Sequence, residues 1–209
     1  MRSFKKHISA RTLLSTASVS NVEGKTSLVT LTRPGDGKIA VITLNDSAKL
    51  NALNADMGDE FTKIVTSLCE GPESDGLGAV ILTGSGRAFS AGGDLNFLYD
   101  RQKDTPSRNS IIMRRFYERF LSVRRIPVPV IACINGPAIG AGLALALACD
   151  VRVADKAAKM GITFVSLGLH PGMGSTFNLP KLVGHQQASL LMLTGKVIDS
   201  AEALRIGKS

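Results

Sequence analysis

The sequence is poor in the residue types that mark several large classes of protein. It contains no tryptophan, aromatic residues make up 5% of the chain, and there are three cysteines in 209 residues. Few aromatic side chains and no zinc-finger or recognition-helix pattern argue against nucleic-acid binding, despite the net charge of +8. The cysteines (Cys69, Cys133 and Cys149) lack metal-ligand spacing, which favours buried thiols in a reducing compartment and predicts no metal site.

Long apolar runs are also missing. The longest, Pro137–Cys149, is shorter than the roughly 20 residues that a membrane-spanning helix needs, and glycines interrupt it. We therefore predict a buried helix there and no contact with a membrane. A hydrophobic content of 44% with 20% charged residues is typical of one globular domain that can bury a sizeable core.

Acidic residues are absent from the start of the chain, where the first one is Glu23. Residues 1–22 are instead rich in serine and threonine, with basic residues at Arg2, Lys5, Lys6 and Arg11. This composition predicts a mitochondrial transit peptide, or alternatively a disordered arm. We expect the folded core to occupy residues 23–209, in the mitochondrial matrix if the arm is an import signal and in the cytoplasm if it is not.

Strands and helices alternate after the arm, which predicts an α/β layered domain. The runs Ser27–Thr32 and Lys38–Asn45 flank a Pro-Gly turn and predict a hairpin. Asn54 is placed to cap the helix that follows. Residues 101–110 are polar and predict a loop. The other predicted elements are strands at Gly78–Thr83 and Val128–Ile134, and helices at Ile112–Val123, Leu143–Cys149, around His185–Leu193 and after Asp199.

One glycine-rich loop, Asn135–Gly142, follows a predicted buried strand and opens an apolar helix. Backbone amides at such a place are free to bind an anion or a developing oxyanion. Glycines also let a helix pack tightly on a sheet, so both interpretations stay open for this loop alone.

The same loop fits the glycine spacing of short-chain dehydrogenases, whose catalytic Tyr-x-x-x-Lys pair Tyr99 and Lys103 would match. The order is wrong, because the glycine loop should precede the tyrosine. The acid expected about 20 residues after the loop's strand is also misplaced, since Asp155 arrives too early. The phosphate-loop endings at residues 24–26 and 207–209 lack the leading glycine. These patterns therefore do not predict a nucleotide-binding enzyme.

Five short motifs occur in a fixed order: Lys49–Leu53, Ala88–Leu95, Pro129–Asp150, Leu167–Thr176 and Leu193–Gly207. Through them the chain resembles the crotonase (enoyl-CoA hydratase/isomerase) superfamily over about residues 27–207. The resemblance implies a crotonase-like (ClpP/crotonase) α/β fold, a spiral of β-β-α units. Members of the superfamily continue into a helical segment that packs subunits into trimers. Because the sequence stops at Ser209, we expect a core truncated at its C-terminus.

The resemblance implies an enzyme that acts on acyl-CoA thioesters in fatty-acid or branched-chain metabolism, with coenzyme A as part of the substrate and no tightly bound cofactor. The backbone amides of Gly93 and Ala141 would hold the thioester oxygen. Coenzyme A would lie along Leu53 and Ala91, with Lys49 near its phosphates, although Lys49 alone also fits a solvated surface lysine. Asp94, as a structural carboxylate, and Leu95 complete the implied substrate-binding set. A homotrimer or hexamer is implied as well, although the early stop at Ser209 makes that assembly an open question.

The chain departs from the hydratases at two positions. Ala144 and Phe164 stand where hydratases carry the two glutamates that deliver water and a proton, and neither side chain transfers protons. Three residues are candidate replacements: His170, Tyr117 and Glu118. His170 also fits a structural role beside a Pro-Gly turn, and the other two fit a helix surface. The alternatives to a hydratase or isomerase are therefore a decarboxylase or thioesterase-like enzyme, and a CoA-ester-binding protein without turnover.

Overall fold

The computed structural model describes residues 26–207, so the predicted arm at residues 1–22 lies outside the described residues. Eight strands and six helices are described there. The strands are β1 (Val29–Thr32), β2 (Ile39–Leu44), β3 (Ala79–Gly84), β4 (Val130–Ile134), β5 (Ala138–Ile139), β6 (Val151–Ala154), β7 (Lys159–Gly161) and β8 (Ile198–Asp199). The helices are α1 (Ala55–Glu70), α2 (Leu95–Arg101), α3 (Pro106–Leu121), α4 (Ala141–Leu147), α5 (Ser175–Thr194) and α6 (Ser200–Ile206).

The larger sheet has five strands in the order β1-β2-β3-β4-β6. β1 and β2 form the predicted hairpin, in which Val29 lies opposite Leu44. The other neighbouring strands are parallel, and Leu82 of β3 lies opposite Ala132 of β4. The loops that follow β3 and β4 therefore leave the sheet from the same edge. They contain the glycine-bearing segments Ala88–Leu95 and Asn135–Gly142, called the two glycine loops below. Ligands of parallel α/β sheets bind at this edge.

A second sheet of three strands, in the order β5-β7-β8, supports the loop after β4. Ala138 of β5 pairs in parallel with Met160 of β7. Ala138 also forms a single parallel bridge with Ser90, in the loop after β3. The two glycine loops are thus joined to each other through backbone pairing as well as through the main sheet.

The core lies where α1 packs against the sheet and α3. Asn54 caps α1 as predicted, because its Oδ1 accepts a hydrogen bond from the Met57 amide at 2.9 Å. The rings of Phe61 in α1 and Phe120 in α3 lie 5.8 Å apart, and both side chains are fully buried. Among residues 26–207, no helix combines the length and apolar composition that crossing a membrane requires.

Three predicted element boundaries were wrong. The predicted loop at residues 101–110 is partly helical, because α2 ends at Arg101 and α3 begins at Pro106. Thr105 caps α3 and proline fits the first helical position, while exposed polar residues hide the helical periodicity. α4 begins at Ala141, before the predicted Leu143. α5 begins at Ser175 and bends at Gly184, whose φ of +77° lies outside the helical region.

Candidate active site

An apolar pocket of about 210 Å³ opens at the edge of the sheet where the two glycine loops meet. Four parts of the chain line it: the loop after β3, helices α2 and α3, the start of α4, and the segment after β7. The lining residues are Ala91, Gly92, Gly93, Leu95, Leu98, Met113, Phe116, Tyr117, Ile139, Gly140, Ala141, Thr163, Phe164, Ser166, Leu167 and Leu169.

Two backbone amides in the pocket wall have no hydrogen-bond acceptor within residues 26–207. Gly93 forms a bridge with Leu53, but the bonds on either side run from the Leu53 amide to the Gly92 carbonyl and from the Asp94 amide to the Leu53 carbonyl. The Gly93 amide takes part in neither of these two hydrogen bonds. Ala141 is the first residue of α4, where no preceding helical carbonyl is available to its amide. Both amides are therefore free to donate to a ligand in the pocket.

Close packing of the two loops requires glycine at particular positions. Gly92 has a φ of +100°, and a Cβ there would lie 2.7 Å from the Ile139 carbonyl oxygen and 3.6 Å from the Ala141 nitrogen. A Cβ at Gly142 would lie 2.6 Å from the Ser90 carbonyl oxygen. Of the two interpretations of the loop Asn135–Gly142, tight packing therefore holds for Gly142, while the Ala141 amide remains free for binding.

A buried asparagine fixes the loop that carries Gly93. Asn51 is fully buried with a φ of +55°, and its Nδ2 donates to the carbonyl oxygens of Ser85 and Ala88, both at 2.9 Å. The Ser90 hydroxyl donates to the Asn51 carbonyl at 2.8 Å and accepts from the Gly92 amide at 3.2 Å. These contacts hold the backbone next to Gly93 from both sides.

A second asparagine joins the loop after β4 to the loop after β3. The Oδ1 of Asn135 accepts from the Gly84 amide at 3.2 Å, and its Nδ2 donates to the Gly86 carbonyl at 3.1 Å. The sequence did not mark Asn51 or Asn135 as positioning residues. Each stands inside a motif of the superfamily, and for Asn135 the available signal was a polar residue directly after a buried strand.

The family model for enoyl-CoA hydratase/isomerase matches residues 35–208 of the chain. The chain belongs to the enoyl-CoA hydratase/isomerase family. A Mycobacterium tuberculosis protein named "Probable enoyl-CoA hydratase EchA14" is 40% identical over 172 residues, which cover 82% of this chain and 65% of that protein. The Short-chain-enoyl-CoA hydratase of Clostridium acetobutylicum is 37% identical over 173 residues, covering 82% and 64%.

Solved structures agree with this assignment. The enoyl-CoA hydratase from Bacillus anthracis is 34% identical with a TM-score of 0.77, covering 86% of this chain and 67% of that one. Pseudomonas aeruginosa DspI is 36% identical with a TM-score of 0.78, covering 87% and 66%. The predicted crotonase-like fold is therefore confirmed. The chain spans 65% of the length of the M. tuberculosis relative, just under two thirds.

The substrate-binding residues that the family resemblance implied lie at different depths. Ala91 and Leu95 line the pocket, and Leu95 is 54% exposed. Leu53 is fully buried and reaches the site only through its backbone. Lys49 is exposed and does not line the pocket. Asp94 caps α2, because its Oδ1 accepts from the Phe97 amide at 3.0 Å; this contact fits the structural role proposed for that carboxylate.

The wall of the pocket at the two glycine loops contains no carboxylate among the described residues. Within the part of the chain that the structure describes, no Asp, Glu, His or Lys lines it. Phe164 is part of the wall, whereas Ala144 is fully buried in α4 and is not. His170 and Glu118 are exposed and lie outside the wall, so their suggested roles have no supporting contact among the described residues.

Tyr117 is the one candidate replacement that lines the pocket. Its hydroxyl has no hydrogen-bond partner within the described residues, and burial raises the pKa of the phenol. Gly172 makes room for it, since a Cβ at that position would collide with the Tyr117 Oη. The phenol is therefore protonated at neutral pH, on a side chain that lines the pocket.

The cysteines lie away from this pocket. Burial raises the pKa of the Cys149 thiol to about 12 and also raises the pKa values of Cys69 and Cys133. All three are free thiols, and a neutral thiol is a poor nucleophile. Within residues 26–207, no group of three His, Cys, Asp or Glu side chains is arranged to hold a metal ion.

Proposed function

We propose that the chain binds an acyl-CoA thioester and polarises its carbonyl with the amides of Gly93 and Ala141. The observation that carries the proposal is the pair of free amides, contributed by two different loops to one apolar pocket. A thioester oxygen placed between them would gain most as negative charge develops on it, and such donors supply roughly 3–4 kcal/mol each. The names of the family relatives support the same substrate class.

The rest of this pocket, called the acyl pocket below, suits the acyl group of the thioester. Leu98, Met113 and Phe116 give the pocket an apolar lining. Coenzyme A would extend past the exposed Ala91 and along the backbone of Leu53, towards Lys49 at the surface. Coenzyme A enters as part of the substrate, and the proposal requires no other cofactor.

Three reaction classes are compatible with this polarised carbonyl: hydration or isomerisation, decarboxylation, and hydrolysis. Hydration or isomerisation of an enoyl thioester is the activity that the family relatives suggest, but both usually rely on carboxylates. Decarboxylation of a malonyl-type thioester needs none: the bond from Cα to the carboxylate breaks, carbon dioxide leaves, and the electron pair forms an enolate held by the two amides. Tyr117 would then protonate Cα and be reprotonated by water. The carboxylate-free wall favours this second class, or hydrolysis of the thioester.

The test is a comparison of substrates with the purified chain. Crotonyl-CoA is followed by loss of its conjugated thioester absorbance, malonyl-CoA by release of carbon dioxide, and acetyl-CoA by release of free thiol. Titration calorimetry measures binding of each ester. We expect every ester to bind and at least one to turn over. Binding without turnover would favour a CoA-ester-binding protein, and failure of all three esters to bind would refute the proposal.

Localisation and assembly are separate proposals. The composition of residues 1–22 supports import into the mitochondrial matrix. A fluorescent protein fused after residue 22 is expected to reach mitochondria, and diffuse fluorescence would refute import. A homotrimer or hexamer follows from the family resemblance, and the native mass of the purified chain tests it.

A further inference from the structure

A second cavity, of about 350 Å³, lies at the far end of α4 from Ala141. It shares no lining residue with the acyl pocket. Leu147 comes six positions after Ala141 in α4, so the two cavities are on the order of 9 Å apart along the helix axis. The lining residues that matter below are Arg124, Cys149, Asp150, Arg152, Asn178 and Lys181.

Positive charge dominates this cavity. Arg124, Arg152 and Lys181 line it, and none of them makes an ion pair with a carboxylate within residues 26–207. Asp150 is the only acid in the wall, and its Oδ2 accepts from the Val130 amide at 2.8 Å. Three cations facing one carboxylate leave an excess of positive charge.

Part of this charge is removed from water. Arg152 is half-buried, and desolvation lowers the pKa of its guanidinium. Its Nη1 donates to the Cys149 carbonyl at 2.8 Å and its Nη2 to the Asp150 carbonyl at 3.3 Å. Both acceptors are neutral carbonyls just after the end of α4, so they do not neutralise the cation. A partly buried cation without a carboxylate partner gains free energy when an anion binds beside it.

A buried amide adds an unused donor. Asn178 is 8% exposed, and its Oδ1 accepts from Arg124 Nη1 at 3.1 Å. That bond fixes the orientation of the amide, so the opposite atom is Nδ2, which has no acceptor within the described residues. A buried donor without a partner costs free energy, which a bound acceptor would recover.

We propose that this cavity binds a small anion, one that carries a phosphate or several carboxylates, between Arg124, Arg152 and Lys181. Guanidinium groups pair with both phosphate and carboxylate oxygens through paired hydrogen bonds. Lys181 lines the cavity, and its Nζ also makes a cation–π contact at 3.7 Å from the centroid of the Phe177 ring. The cavity is separate from the acyl pocket, and the inference does not depend on the proposed function.

The test is titration of the full chain with inorganic phosphate, and separately with citrate, at an ionic strength held constant with sodium chloride. We expect at least one of the two anions to bind with a dissociation constant of about 1 mM or lower. The double variant Arg124→Gln/Lys181→Gln should weaken that binding at least tenfold. Arg152 is left unchanged because it also bonds the backbone carbonyls of Cys149 and Asp150. Tighter binding of phosphate would indicate a natural ligand that carries a phosphate group. Tighter binding of citrate would indicate one that carries several carboxylates.

The matched control is Arg115→Gln/Lys63→Gln, which removes the same charges from exposed residues outside both cavities. Its binding should stay within twofold of the unmodified chain. Urea unfolding of both double variants establishes that each is folded. Three results would overturn the proposal: neither anion binding better than chloride, equal weakening in the two double variants, or loss of binding in Lys49→Gln, which would place the anion at the coenzyme A phosphates.

Discussion

Replacing Ala141 with proline removes one of the two free amide hydrogens in the acyl pocket at a position that tolerates the change. Ala141 is the first residue of α4, where proline is favoured because its missing N–H had no helical partner. The preceding Gly140 has φ +54° and ψ −119°, outside the right-handed helical region that a following proline disfavours. The fold should therefore accept Ala141→Pro.

The catalytic cost should be large. Removing one donor of an oxyanion hole costs about 10²–10³ in turnover, or roughly 3–4 kcal/mol. The ring carbon of proline also occupies the space of the amide hydrogen, so the thioester oxygen cannot approach. We expect kcat/KM for whichever thioester turns over to fall at least about a hundredfold. Free coenzyme A has no thioester carbonyl, so its affinity should change little.

Ala141→Gly is the matched comparison, because it keeps the N–H and removes only the methyl group. Its kcat/KM should exceed that of Ala141→Pro at least tenfold. The free energy of unfolding in urea establishes that both variants are folded. A folded Ala141→Pro protein with unchanged kcat/KM would refute the role of this amide.

Three further predictions concern residues around the site. Tyr117→Phe should lower turnover by about 10²-fold if the phenol donates a proton, with binding of the CoA ester retained. Because burial raises the pKa of Tyr117, the phenol stays protonated at neutral pH, and the activity of the unmodified chain should fall only as the pH rises through that pKa. An alkaline fall in activity that is unchanged in Tyr117→Phe would contradict the role. Asn51→Ala removes buried hydrogen bonds and should lower the free energy of unfolding by about 2–4 kcal/mol. The control Asn96→Ala, at an exposed residue, should lower it by less than about 0.5 kcal/mol. Equal effects of the two substitutions would show that the Asn51 bonds do not hold the loop. The folded-state pKa of Cys149, about 12, lies above its ordinary value of 9.0, so its contribution to stability is complete below pH 9 and is lost as the pH rises towards 12. Urea midpoints of Cys149→Ala should show a smaller alkaline loss than the unmodified chain.

Turn and cap residues in the sequence predicted those strands and helices whose ends are set by residues next to them in the chain. The turn after Thr32 and the cap at Asn54 act over a few residues, and both hairpin and helix were confirmed. α2 was missed because it is short and buries no residue fully, so no apolar periodicity marks it. The bend of α5 at Gly184 was missed as well, since an isolated glycine in a helical pattern does not disclose its φ.

The site could be predicted only through the family resemblance. Gly93 and Ala141 are far apart in sequence, and composition alone gives no reason for their amides to meet. They share a pocket because β3 and β4 are parallel neighbours and because Asn51 and Asn135 bond across the loops. Such contacts depend on the whole fold. The carboxylate-free wall is different, since Phe164 could be identified from its motif before its position was known.

The substitution pair Ala144→Glu/Phe164→Glu tests whether carboxylates at these two positions let the pocket hydrate an enoyl thioester. Ala144 lies one helical turn after Ala141, and helical side chains lean towards the N-terminus, so a carboxylate at 144 would lean towards the Ala141 amide. Phe164 already lines the pocket. Both new groups would then stand near the thioester.

We expect this double variant to hydrate crotonyl-CoA at least tenfold faster than the unmodified chain. Ala144→Gln/Phe164→Gln is the control, because glutamine has nearly the same size and hydrogen-bonding reach but cannot transfer a proton. Burying a carboxylate at the fully buried position 144 costs stability, so unfolding in urea is measured first, and Phe164→Glu alone serves if the double variant does not fold. A folded glutamate variant no faster than its glutamine counterpart would show that carboxylates at positions 144 and 164 do not support hydration in this pocket.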